Sequence, residues 1–222
     1  MHAASQQSRK IHTIKNQTNR ILPGFENINR FWCRQQNMEM VKILPGEFYV
    51  TASDEIIATV LGSCISVCIR DNKLGIGGMN HFMLPQNNNQ DDDKWKYNEI
   101  DKAARYGVDA MEHLVNEILK NGGSKKRFEV KVTGGGRIMA KMNDIGYKNI
   151  AFIKQYLKAE GYSIASEDLG EIYPRKVRYF PRTGKLQVKK LKSLHNETIV
   201  SRENDYKQHI EKEKIEGDIE LF

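Results

Sequence analysis

The 222-residue chain is poor in cysteine and proline and has no long apolar run. No window of about 18 apolar residues occurs, and residues 1–30 mix Gln, Lys, Arg and Asn without an apolar segment. The sequence therefore predicts neither a membrane span nor a secretory signal. Its three cysteines, Cys33, Cys64 and Cys68, form an odd set with no CxxC spacing. That excludes a disulfide framework and a zinc ribbon and suits a reducing, cytoplasmic compartment. None of His2, His12, His113, His195 and His209 stands at ligand spacing from a cysteine, so no metal is expected. The glycine run Gly134–Gly136 lacks the lysine and hydroxyl of a phosphate-binding loop and the spacing of a dinucleotide fingerprint, so no nucleotide cofactor is expected.

The net charge of +7 is unevenly placed. Residues 172–195 carry Arg175, Lys176, Arg178, Arg182, Lys185, Lys189, Lys190 and Lys192 without an acid, and residues 196–222 reverse the sign. The basic run has only Tyr173, Tyr179 and Phe180 as aromatic platforms, too few for a single-strand reader, so it is read as strand surface and tail and no nucleic acid is expected. Three segments are expected: a flexible basic leader over 1–42, one domain over 43–195, and a charged, acidic tail over 196–222.

Within the domain, Glu47–Ala52, Ile56–Leu61, Ser63–Arg70 and Gly75–Met83 read as short strands, with a turn at Asp71-Asn72-Lys73. A hairpin there brings Cys64 and His81 towards one end of a sheet. Gln86–Asp93 reads as a polar loop or lid. From Asn98 to Lys120, apolar residues including Val108, Met111, Leu114, Val115 and Ile118 recur at helical spacing before an Asn121-Gly122-Gly123 stop. A strand over Phe128–Val132 is followed by a second helix, capped by Asn143 or Asp144, that carries Ile150, Ile153, Tyr156 and Leu157. Strands near 162–169, 174–181 and 185–191 complete an α+β fold, a layered α/β sandwich with mixed β-sheets.

Cys64 follows Gly62-Ser63 at a strand junction, where a glycine lets the backbone turn sharply and expose a thiol. A thiol there becomes a nucleophile when an imidazole takes its proton, and His81 is the best-placed base. Backbone N–H groups at Gly62–Cys64, or the amide of Asn80, are the candidate oxyanion donors. A buried cysteine is more often a small hydrophobe, and that is the reading for Cys68. Gly134–Gly136 is read as a tight bend beside the site, with Arg137 and Met139 after it as candidate substrate contacts or, more simply, part of a loop-to-helix junction.

The runs Thr59-Val60-Leu61-Gly62-Ser63-Cys64-Ile65-Ser66-Val67-Cys68 and Gly77-Gly78-Met79-Asn80-His81-Phe82-Met83-Leu84-Pro85 resemble the signature of the CheD-type chemoreceptor glutamine deamidases. The likeness extends through Arg105-Tyr106-Gly107, the Lys131–Gly136 segment and Asn149 before the second helix, covering about residues 45–190. It implies Cys64 as nucleophile, His81 as base and, as the threonine shortly before the cysteine, Thr59, with Ala58 next to it. It further implies hydrolysis of selected glutamines on methyl-accepting chemotaxis receptors, a CheC-type phosphatase as a further partner, and a fold similar to cytotoxic necrotizing factor-like hydrolases. Another cysteine acyl hydrolase, such as a peptidase or glutamate methylesterase, and a non-catalytic binding module are the competing expectations.

Overall fold

The computed structural model describes residues 21–84, 95–138, 145–192 and 197–212. Ten strands make two five-stranded mixed sheets. The first contains β1 (Arg30–Cys33), β2 (Met38–Lys42), β4 (Glu55–Leu61), β9 (Arg175–Phe180) and β10 (Lys185–Lys190), in the order β1-β2-β4-β9-β10. The second contains β3 (Phe48–Thr51), β5 (Ile65–Asp71), β6 (Gly77–Asn80), β7 (Phe128–Gly134) and β8 (Ile164–Leu169), in the order β3-β6-β5-β7-β8. Pairing is antiparallel except for β2 with β4 and β7 with β8. The α+β class read from the sequence stands.

The second sheet is the middle layer. Ile65 to Ile69 are all buried, which a strand achieves only when both faces are covered. One face packs on the first sheet. The other lies under α1 (Trp95–Lys120) and α2 (Ile145–Ala159). In α1, Met111, Leu114, Val115 and Ile118 are buried at three- and four-residue intervals. The helix ends at Gly122, whose φ of +94° suits glycine, with the Gly123 N–H bonded 2.9 Å from the Ile118 carbonyl. Gly78 has no Cβ where one would lie 2.8 Å from the Leu114 side chain, so helix and sheet approach closely there.

Three expectations need correction. The leader expected to run to residue 42 contains β1 and β2, and Leu22 and Phe25 join the core. These strands are short and locally weak, and it is pairing with β4 that orders them. The tail expected from residue 196 contains α3 (Glu197–Lys212), because Ile199 and Ile210 share a face that the domain buries. Asn149, expected before the second helix, lies within it. Residues 1–20, the lid expected at Gln86–Asp93, the cap at Asn143 or Asp144, Met139, and residues 213–222 lie outside the described residues.

Candidate functional site

Cys64 sits where the chain crosses from one sheet to the other, between the end of β4 and the start of β5. The hairpin expected at Asp71-Asn72-Lys73 is present: β5 pairs antiparallel with β6, with Cys68 opposite Met79. The ladder closes at Ile65 and Phe82, which exchange both backbone hydrogen bonds at 2.9 Å. Cys64 lies one residue beyond that pair and His81 one residue before it on the hairpin side, so the two are diagonal neighbours on one face of the ladder. His81 is further held by its N–H to the Glu47 carbonyl at 2.9 Å and its carbonyl to the Gly46 N–H at 2.8 Å.

Thr59, on β4, completes the group. Its hydroxyl donates to the Ile43 carbonyl at 2.9 Å and lies 2.8 Å from His81 Nδ1. A hydroxyl has one proton, and the carbonyl takes it, so Thr59 Oγ1 must accept from Nδ1–H. The imidazole tautomer follows: Nε2 carries the lone pair. Among the described residues Nε2 has no hydrogen-bond partner. Burial drives His81 down from an ordinary 6.5 to about 3, which keeps the ring neutral. Burial, and then the neighbouring Glu203 carboxylate, push the Cys64 thiol up.

The sequence placed Glu203 in a solvated tail, yet it is 3% exposed and lies against the Cys64 loop. Oε1 accepts from the N–H of Gly62 at 2.7 Å and of Cys64 at 3.2 Å. Oε2 accepts from the N–H of Ser63 at 2.8 Å and its hydroxyl at 2.6 Å. Gly62 permits this approach, since a Cβ there would lie 2.7 Å from Oε2. The sequence signal that marks Glu203 is the helical spacing of Ile199, Glu203, Tyr206 and Ile210.

Cys64 Sγ, a His81 ring nitrogen and a Glu203 oxygen lie within 4.8 Å of one another. These atoms are of metal-ligating type, but the Glu203 oxygens face four N–H and O–H donors, an arrangement made for an anion and not for a cation.

The remaining expected residues sort clearly. Gly134–Gly136 brace the Cys64 loop from behind: the Gly135 N–H bonds the Cys64 carbonyl and the Gly136 N–H the Gly62 carbonyl, both at 2.8 Å. Gly134 has φ +120°, and a Cβ there would lie 2.2 Å from the Cys64 carbonyl oxygen. Asn149 clamps the same loop, its amide donating to the Ser63 carbonyl and accepting from the Leu84 N–H, both at 2.9 Å. Asn80 is not at the thiol. Its side chain bonds the Val67 N–H and the Ala110 carbonyl, tying β5 to α1. Arg137 is exposed and its N–H bonds the Glu171 carbonyl. Cys68 is fully buried in β5.

A family model described as CheD chemotactic sensory transduction matches residues 83–190. The chain is 49% identical over 201 residues to a protein of Hahella chejuensis named probable chemoreceptor glutamine deamidase CheD, covering 90% of this chain and 93% of that one. A protein of the same name from Halorhodospira halophila is 48% identical over 201 residues, with 90% and 93% covered. Another, from Hydrogenovibrio crunogenus, is 49% identical over 181 residues, with 82% and 93% covered. No helix among the described residues is long and apolar enough to cross a membrane. Identity this high, sustained along nearly the whole of proteins of similar length, means that the chain belongs to the CheD family.

Proposed function

We propose that the protein hydrolyses the side-chain amide of selected glutamines on methyl-accepting chemotaxis receptors, giving glutamate and ammonia, with Cys64 as nucleophile, His81 as base and Thr59 holding His81. The observation that carries the mechanism is the two-way hydrogen bond of Thr59, which leaves the lone pair on Nε2, in a ring with a nitrogen within 4.8 Å of the thiol. Nε2 takes the thiol proton and Sγ attacks the amide carbon. The resulting oxyanion needs preorganised donors, and the N–H groups of Gly62 and Cys64 already converge on a single oxygen, Oε1 of Glu203. The imidazolium passes its proton to the departing amine, and a water deprotonated by the same ring releases the thioester as a carboxylate.

Each turnover makes the receptor more negative. On a helix bundle the added charge alters repulsion between neighbouring helices. The reaction belongs in the cytoplasm, where the three free thiols stay reduced. A CheC-type phosphatase is the further partner this reading carries, and a sheet sandwich bearing a thiol–imidazole pair is the arrangement expected of cytotoxic necrotizing factor-like hydrolases.

The test is intact-mass analysis of a receptor cytoplasmic domain incubated with the protein. A gain of about one dalton per converted glutamine is expected with the wild type and none with Cys64→Ser. No gain with the wild type on several receptors would sink the deamidase reading, and a loss of methyl groups instead would mark a methylesterase.

A further inference from the structure

Cys64 is fully buried, and what covers it includes α3. The cavity between α3 and His81, lined by Ile43, Thr59, His81, Ile199, Arg202 and Glu203, has a volume of about 30 Å³. That admits a water molecule or so but not a glutamine side chain. A substrate amide does not fit there, nor can it take the Gly62 and Cys64 N–H groups, while Glu203 of α3 is seated on them.

The manner in which α3 fills the site is specific. Glu203 offers a carboxylate at the end of the side chain that the proposed reaction generates. Its Oε1 takes the two N–H donors that would hold the oxyanion, and its Oε2 faces the Ser63 N–H and hydroxyl. An amide nitrogen at the Oε2 position would confront the Ser63 N–H donor to donor, so a carboxylate suits this set better than the amide it replaces. Around Glu203, Ile199 and Ile210 are buried, and Tyr206 packs over Gly46, where a Cβ would lie 3.0 Å from its ring, while its hydroxyl meets that of Tyr106.

We propose that α3 is an intramolecular competitor of the substrate: it occupies the groove through which a receptor segment enters, with Glu203 in the place of the product glutamate, and turnover requires α3 to leave. The inference rests on the deamidase reading above. Its consequence is a resting state in which the dyad is capped. While Glu203 is seated, the exclusion of water and then its negative charge disfavour the Cys64 thiolate. A receptor segment bearing a glutamine must displace α3, and after hydrolysis α3 competes to eject the new glutamate.

The experiment uses the full chain and its Glu203→Ala variant, reading iodoacetamide labelling at Cys64 by peptide mapping alongside receptor deamidation. Labelling of Cys64 is expected to rise at least about tenfold in Glu203→Ala, the change that losing one charge-assisted hydrogen bond to the closed state produces. Receptor deamidation is expected to quicken in the same variant. Equal labelling, or receptor deamidation that both proteins carry out at the same measurable rate, overturns the proposal. Faster labelling with no deamidation by either protein upholds α3 as a cap and takes down the deamidase reading instead. A Glu203→Gln variant adds a readout that needs no receptor. Sγ bonds the introduced amide carbon, the C–N bond breaks, ammonia leaves with the His81 proton, and water cleaves the thioester to restore glutamate. The purified variant is expected to gain about one dalton on incubation, and the Cys64→Ser, Glu203→Gln double variant is not. A Glu203→Gln protein that keeps its amide while cleaving receptor glutamine amides overturns the placement of Glu203 at the product position.

Discussion

At the scale of the residue, the candidate site turns on Thr59. Its hydroxyl proton goes to the Ile43 carbonyl, and this decides the tautomer of His81, with the proton on Nδ1 and the lone pair on Nε2. Thr59→Val keeps the shape of the side chain and removes both bonds. Without the acceptor the ring loses its preference for the Nδ1–H tautomer and its fixed tilt. We expect kcat to fall about 100-fold with little change in KM, because the loss affects proton transfer more than binding. Folding should weaken by about 1–3 kcal/mol, since the Ile43 carbonyl and Nδ1–H lose a buried partner. Steady-state kinetics and urea denaturation check the two halves. Unchanged kcat in a folded Thr59→Val protein would mean that His81 is oriented by something else. The motif around Cys64 and His81 was legible because chain neighbours form it. Glu203 was not, since 139 residues separate it from the cysteine whose N–H it accepts.

At the scale of elements, two buried polar side chains join segments that would otherwise slide. Asn149 connects α2 to the Ser63 carbonyl and the Leu84 N–H, so it sets the spacing between the Cys64 loop and the segment after His81. In Asn149→Ala both backbone groups lose their partner. A cost of about 2–4 kcal/mol in denaturation, together with loss of deamidation at temperatures where the fold persists, is the expected result. Asp71 ends β5 and accepts from the N–H groups of Lys73, Leu74 and Ser124 and from Arg127, tying the β5–β6 turn to the segment before β7. The Arg127 hydrogen bond, aided by the backbone donors and opposed by burial, lowers Asp71 from 3.8 to about 2. A depressed carboxyl stabilises the fold above its unfolded value and loses that contribution as pH falls through the folded one. Asp71→Asn should therefore cost about 2 kcal/mol near neutrality, with the gap to wild type closing between pH 3.8 and about 2. A gap independent of pH in denaturation midpoints would count against this ion pair.

At the scale of the whole molecule, the N-terminal strands are part of the sandwich. Arg30 on β1 contacts Glu55 at 2.6 Å and Glu39 at 3.0 Å and donates to the Tyr49 hydroxyl at 2.7 Å. Glu55 is 1% exposed and also accepts from Tyr49 at 2.6 Å, so the buried carboxylate of β4 depends on residues from two other strands, β1 and β3. Removing residues 21–42 takes away β1 and β2, leaves β4 as a sheet edge, and uncovers Ile56 and Ile57. Such a protein should be recovered insoluble or, if soluble, without a cooperative thermal transition. Arg30→Ala, which only unpairs Glu55, should cost about 3 kcal/mol and leave the chain folded. A soluble, cooperatively unfolding deletion would show that the sandwich does not need its first two strands.

Short-range pattern determined much of this protein. Helical spacing from Val108 to Ile118, a glycine stop, β-branched runs and the Asp71 turn fixed α1, β4 and the β5–β6 hairpin, and the hairpin brought Cys64 and His81 to one end of a sheet. The basic run read as strand surface and tail forms β9 and β10, where Lys176, Lys185 and Lys189 are exposed, but Arg175 is fully buried and paired with Asp168, which the charge pattern did not reveal. Tertiary structure decided the rest. Weakly patterned segments at both ends, Arg30–Lys42 and Glu197–Lys212, take their order from surfaces that the middle of the chain presents, an edge of β4 for one and the Cys64 loop for the other. A carboxylate in a charged tail looks solvated until folding aims three backbone N–H groups at it, because their shared direction exists only once the chain has turned.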